Sequence, residues 1–438
     1  MDNGKTIGKK NCQDDNMIQR LKLKSEFSRN VLTLMTGTVI AQAIPIAITP
    51  ILTRIYTPED FGLFAFYMAI ASIISVIATG RYELAIMLPE KEEDALNIAA
   101  LSGLITVFVS LISFTVIFVF NHQIVLWIEK PEVSNWLYLI PLSVLVTGLY
   151  QSFNYWHNRS KNYKVIAKNR IIQSGITGLS QSGLGLINTG VGGLIFGGLA
   201  GQSLACSYLA RKVYVDDKRY FRCLNLGRIN ILAKKYINFP KIDVPTTLIN
   251  IASSQMPNIL LTSLYSPVIA GYYYLTQRVL QAPITLISSS VLDVFKQRAS
   301  EDYKRLGNAK QIYKKTFLAL MLMGGMPLII LFFIVEDMFA LVFGEAWRVA
   351  GTYAQILLPA LFLRFMANPL SFMFYVAEKQ LWNLMGMSIL FLLVTMSFFL
   401  GESAEQVVGF LSMSYSVIYL FYIVFSYVIS NGFFIKDG

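Results

Sequence analysis

Apolar residues along this chain gather into runs of about twenty, separated by short polar connectors. They do not follow the two-residue alternation of strands or the narrow stripe of a soluble amphipathic helix. A helical run of that length crosses a hydrocarbon core of about 30 Å. Twelve such runs can be laid out, roughly 28–52, 61–80, 95–120, 136–154, 171–188, 192–209, 244–264, 269–291, 316–335, 351–377, 381–400 and 405–430. They predict an all-α polytopic membrane protein, six spans on either side of a polar stretch. The expected organisation is a tail over 1–27, a first lobe over 28–209, a basic linker over 210–243, a second lobe over 244–430 and a short tail over 431–438. Within the linker, Leu224 to Phe239 is amphipathic, suited either to lying on the membrane surface or to serving as a solvated connector.

A repeat supports the division into lobes. Thr53-Arg-Ile-Tyr-Thr-Pro-Glu-Asp-Phe-Gly62 returns at an offset of 209 as Thr262-Ser-Leu-Tyr-Ser-Pro-Val-Ile-Ala-Gly271. An offset close to half of the 438 residues implies two tandem halves of similar topology, the usual way in which transporters place a site between repeats. Pro45 and Pro50 in the first span and Pro245 and Pro257 in the seventh mark corresponding places where the helices can bend, either to rock or as static kinks.

Composition agrees with the membrane reading: 55% hydrophobic residues, 14% charged residues and a mean hydropathy of +0.53. Soluble domains carry about 25% charged residues. The first apolar run is too long for a cleaved signal and is expected to act as an uncleaved anchor. The net charge of +11 raises the question of nucleic acid, and its distribution answers it. With the N-terminus placed in the cytoplasm, 32 of the 37 Lys and Arg fall on the inner side, three (Arg54, Lys130, Arg348) on the outer side, and Arg278 and Arg364 within spans. That asymmetry is the positive-inside signature; it puts both termini in the cytoplasm. No nucleic-acid motif accompanies the basic loops, so a nucleic-acid partner is excluded.

Catalysis finds no foothold. His122 ends an outer helix and His157 begins a basic loop, both read as surface or interfacial residues. Cys12, Cys206 and Cys223 lie too differently placed for a disulfide framework, and no metal-ligand spacing or phosphate-binding loop occurs. No cofactor or metal is expected. The Asn158-Arg-Ser160 glycosylation pattern falls on the inner side and is set aside. The outer connectors are too short for the large catalytic loop expected of a polysaccharide polymerase or ligase.

Polar chemistry inside the spans is more telling. An arginine near the bilayer centre is costly, about 2.5–3.5 kcal/mol on insertion scales, and usually faces an interior. Arg278 and Arg364 are therefore candidate anion ligands, a guanidinium fork suiting a diphosphate, or else structural residues tied to carbonyls freed near Pro283, Pro359 and Pro369. Arg81 and Glu83, at the inner end of the second span, would form a gate or coupling pair, or an interfacial salt bridge. The amides Gln42, Gln151, Asn154, Gln255, Asn258, Gln277, Gln281 and Asn368 are candidates to line a glycan path. Of Tyr272, Tyr273 and Tyr274, which diverge on a helix, at least one is expected in an interfacial aromatic belt. Gly193, Gly197 and Gly201 form a packing stripe.

The stretch Leu52-Thr-Arg-Ile-Tyr-Thr-Pro-Glu-Asp-Phe-Gly62 followed by Arg81-Tyr-Glu-Leu-Ala-Ile-Met-Leu-Pro89 resembles the polysaccharide-biosynthesis branch of the MOP exporters, the Wzx-type repeat-unit flippases for O-antigen and capsule. The loop from Trp156 to Arg170 and the segment from Gly271 to Pro283 are similar to the same branch, and the likeness runs from about Phe27 to Phe425. It implies two six-helix lobes around a central cavity that opens alternately to either side of a bacterial plasma membrane. The implied cargo is an undecaprenyl-diphosphate-linked oligosaccharide, the implied partners membrane lipids and the polymerase and glycosyltransferases of the same pathway. Two other classes stay open: a MATE-type cation-coupled exporter, which usually presents intramembrane carboxylates, and a non-transporting scaffold.

Overall fold

The computed structural model describes residues 33–432; the polar tail over 1–27, Cys12 and most of the C-terminal tail lie outside that range. No strand occurs among the described residues. Twelve helices of twenty residues or more stand at the places of the apolar runs. They are α1 (Thr33–Ile55), α2 (Pro58–Ala78), α3 (Glu92–Ile128), α4 (Ile140–Arg159), α5 (Tyr163–Leu186) and α6 (Val191–Asp216). After the linker come α7 (Val244–Leu264), α8 (Pro267–Leu306), α9 (Lys310–Phe343), α10 (Arg348–Leu370), α11 (Gln380–Leu400) and α12 (Ala404–Ser430).

Fewer of them are apolar enough to cross a membrane unaided. Nine qualify among the described residues, or ten if the helix pair Pro131–Leu137 and Ile140–Arg159, bent by 43°, counts as one span. The two that fail outright are α5 and α7. Lys168, Arg170, Gln173 and Gln181 dilute α5, and Asn250, Ser253, Gln255 and Asn258 dilute α7. Both line the interior described below, so their polarity follows from what they face.

Some helices outrun their apolar core. α8 has 40 residues, about 60 Å at 1.5 Å per residue, so the basic stretch expected as a connector from Lys296 onward is largely a helical extension. Hydropathy stops where charge begins, but Lys, Arg, Glu and Gln are good helix formers and the helix continues through them. Of the four prolines proposed as bends, Pro257 is buried inside α7, whereas Pro245 sits in the first turn of that helix, where a proline breaks no bond.

The repeat has a direct structural meaning. Thr57 caps α2 in a reciprocal capping box with Asp60, and Ser266 caps α8 by accepting from the Ile269 amide; in each case a proline opens the helix. The Tyr56 hydroxyl donates to the Gln181 carbonyl of α5 at 2.6 Å, and the Tyr265 hydroxyl donates to the Gly401 carbonyl just past α11 at 3.0 Å. The fifth and eleventh helices thus receive equivalent bonds. The two motifs also meet. A Cβ on Gly62 would overlap the Pro267 carbonyl, and a Cβ on Gly271 would overlap the Pro58 carbonyl, so α2 and α8 cross backbone to backbone through their glycines. Beside that crossing the Trp347 indole donates to the Thr53 carbonyl at 3.0 Å, and its ring stands edge-on to Phe61 with centroids 5.0 Å apart. This clasp closes the end of the bundle remote from the basic loops.

At the other end the linker is docked. A short helix, Leu226–Lys235, is capped by Asn225 and buries Ile229 and Leu232. Arg228 holds Asp94 through two bonds of 2.7 and 2.8 Å, and the Tyr82 hydroxyl donates to the Ala233 carbonyl at 2.9 Å. Neither a free solvated connector nor a helix resting only on lipid describes it.

Candidate substrate cavity

Three chambers open on the basic-loop side of the clasp, and Arg278 lines all of them. The largest, about 780 Å³, is walled by α7, α8, α10, α11 and α12 with Gln42 reaching in from α1. A slot of about 330 Å³ lies between α1 and α5. A third space, about 520 Å³, lies among the first-half helices and borders Tyr274. Their common arginine stems from α8, the helix whose glycine forms the clasp, so closure at one end and cation placement in the interior share one rod.

The intramembrane arginines expected from sequence are both here: Arg278 at the junction and Arg364 in the large chamber. Of the eight amides, Gln42, Gln255, Asn258, Gln277, Gln281 and Asn368 line the large chamber and Gln151 lines the first-half space. Asn154 is not among the lining residues of any of the three. Local bonds orient several amides. Asn258 donates its Nδ2 to Gln255 at 3.1 Å, and Gln277 donates its Nε2 to the Tyr273 hydroxyl at 2.8 Å. Gln181 donates to the Leu194 carbonyl at 2.9 Å. The carbonyl oxygens of these three, and of Gln42, stay buried without a partner. A buried acceptor left unpaired costs about 1–3 kcal/mol, so these side chains gain by turning towards a donor that a ligand or water brings into the cavity.

Arg81 lines the first-half space and pairs with Glu83 at 3.2 Å; Glu83 is 1% exposed and also accepts from Thr79. Arg81 has a left-handed backbone, φ 61°, which turns the chain from α2 into the short helix Tyr82–Ala85. Sequence reasoning missed Arg170. Counted with an inner loop, it instead lines the slot from α5 and donates to the Thr38 hydroxyl at 2.6 Å. Its signal was available in the Gln173, Thr177 and Gln181 that follow it at helical spacing.

Other readings change. His157 is buried, its Nε2 3.2 Å from the Leu209 carbonyl, and so belongs to the packing of α4 on α6 instead of the surface. Tyr272 packs on Trp347 and Tyr353, Tyr274 on Phe61 and Phe64, and Tyr273 is buried, so all three rings pack against the protein. The glycine stripe of α6 is packing as expected, since a Cβ at Gly197 or Gly201 would enter α5 at Gln181 or Thr177.

Long apolar helices around a polar, cationic interior closed at one end define a polytopic membrane protein with a central cavity. The match of residues 51–351 to the family model described as polysaccharide biosynthesis protein identifies the lineage, and the chain belongs to that family. Among solved structures it is similar to an inward-facing multidrug-resistance MATE transporter of the MOP superfamily, with a TM-score of 0.70 at 12% identity over 89% of this chain and 95% of that one. The lipid II flippase MurJ in an inward closed conformation gives 0.69 at 12% over 93% and 94%. A MOP superfamily transporter from Pyrococcus furiosus, described as having a binding pocket of reverse polarity, gives 0.61 at 13% over 92% and 95%. A search of curated protein sequences finds no match.

Proposed function

We propose that the protein is a flippase that carries undecaprenyl-diphosphate-linked oligosaccharide repeat units, of O-antigen, capsule or a similar surface polysaccharide, from the inner to the outer leaflet of a bacterial plasma membrane. The observation that carries this is the sign of the interior: arginines line each chamber and, among the described residues, no Asp or Glu lines any of the three. Guanidinium groups in a low-dielectric space bind phosphate oxygens in bidentate fashion. The amide side chains along the walls suit sugar hydroxyls. A lobe over 28–209 and a lobe over 244–430 would rock about the clasp, with the polymerase and glycosyltransferases of the pathway as partners. The MATE-type alternative for cationic cargo calls for carboxylates in the cavity, and the lining argues against it.

Deletion in the native host, scored by surface glycan and by lipid-linked intermediates, tests the reading. Loss of glycan with intermediates held at the inner leaflet is expected, restored by the wild-type gene. Arg278→Ala should restore at most about a tenth of the flux, one lost charge-assisted contact of about 1.5–3 kcal/mol being worth tenfold or more. Unchanged glycan on deletion would overturn the proposal.

A further inference from the structure

The interior carries more positive charge than a diphosphate can neutralise. Arg81 has its carboxylate, Glu83, at 3.2 Å. Arg170, Arg278 and Arg364 have none among the described residues, and the chambers they line contain no Asp or Glu. That leaves three cations facing one cavity system. A lipid diphosphate diester bears two negative charges, so a cargo with a neutral glycan would leave one of these half-buried guanidinium groups without an anionic partner. The three are not equivalent in position. Arg170 and Arg278 share the slot between α1 and α5, whereas Arg364 lies on α10 in the large chamber. There it shares the chamber wall with sugar-type chemistry: the rings of Tyr415 and Tyr419 and the amides Asn258 and Gln277.

We infer that the glycan itself is acidic: Arg170 and Arg278 take the two phosphates, and Arg364 takes the carboxylate of a sugar that sits in the large chamber. The inference rests on the flippase reading and names its substrate class. The aromatic rings and amide side chains read the neutral faces and hydroxyls of that sugar, and Arg364 reads its charge. Within the chamber the carboxylate completes the count, three cations against three anionic charges.

The test uses the full-length protein in liposomes and two probes: undecaprenyl diphosphate bearing a neutral trisaccharide, and the same lipid with one glucose replaced by glucuronic acid. Flipping is read as the fraction of labelled lipid exposed to a membrane-impermeant sugar-modifying reagent. The acidic probe is expected to move about tenfold faster, the ratio matching one charge-assisted contact. Arg364→Gln should bring the ratio towards one, while Arg278→Gln should slow both probes and preserve it. Asn258→Asp and Gln277→Glu, which add a negative charge to the chamber with little change of shape, should shift the preference towards the neutral probe without depending on how Arg364→Gln folds. Equal rates for the two probes, or a ratio untouched by all the chamber variants, would overturn the acidic assignment and leave the flippase reading standing. No movement of either probe above protein-free vesicles would overturn both.

Discussion

Single residues in this chain often act as pairs across the two halves, and Gly62 with Gly271 is the clearest case. Each lies where the other helix's first carbonyl passes, so neither has room for a side chain. Overpacking a tight contact costs about 1–3 kcal/mol. Gly62→Val and Gly271→Val should each lower the melting temperature in detergent, by similar amounts, and the double variant should cost clearly less than the sum, because both disrupt one crossing. Full additivity would mean that the crossing is not shared. This much was half legible beforehand: Thr53, Tyr56, Pro58 and Gly62 recurred as Thr262, Tyr265, Pro267 and Gly271, but a repeat in sequence does not announce that its copies touch. Arg278 and Arg364 were legible because an intramembrane charge stands out against apolar neighbours. Arg170 was not, because it follows Lys161, Lys164 and Lys168 and reads as the end of a solvated basic loop until the helix that carries it is seen to turn that face inward.

At the scale of elements, hydropathy located every long helix and misjudged their ends and their company. α3, α8 and α9 extend beyond their apolar segments because a helix ends where its backbone bonds end and not where its hydrophobicity does. The linker was ambiguous for a different reason: Ile229 and Leu232 make a short apolar stripe, and a stripe fits a lipid surface as well as a protein one. The structure resolves it by placing Leu232, 2% exposed, against the basic-loop end of the first half. Leu232→Asp is expected to detach the segment and make the chain cleavable between 210 and 243 by a protease added on the basic-loop side, with resistance in the wild type. Arg228→Ala should do far less, since the guanidinium that pairs with Asp94 is solvent-exposed. Equal protease sensitivity of the two variants would count against the apolar anchor.

Taken whole, the molecule is shut at the end where the repeats meet and open to its interior from the end that carries the basic loops. In a background with Cys12, Cys206 and Cys223 changed to Ser, Asn368→Cys, on the wall of the large chamber, should react with an impermeant maleimide only from the basic-loop face. Thr57→Cys, beside the clasp, should react only from the opposite face; a reversed pattern would invert the orientation. The polar character of α5 and α7 carries a further consequence, for how the protein comes into being. Too rich in amides and hydroxyls to pass as apolar spans, both are expected to partition poorly into lipid as single helices. Each is expected to enter as a hairpin with the apolar helix made after it, α6 or α8. The first half is therefore completed only when the ribosome has passed Asp216, and the second cannot begin to settle until α8 has emerged.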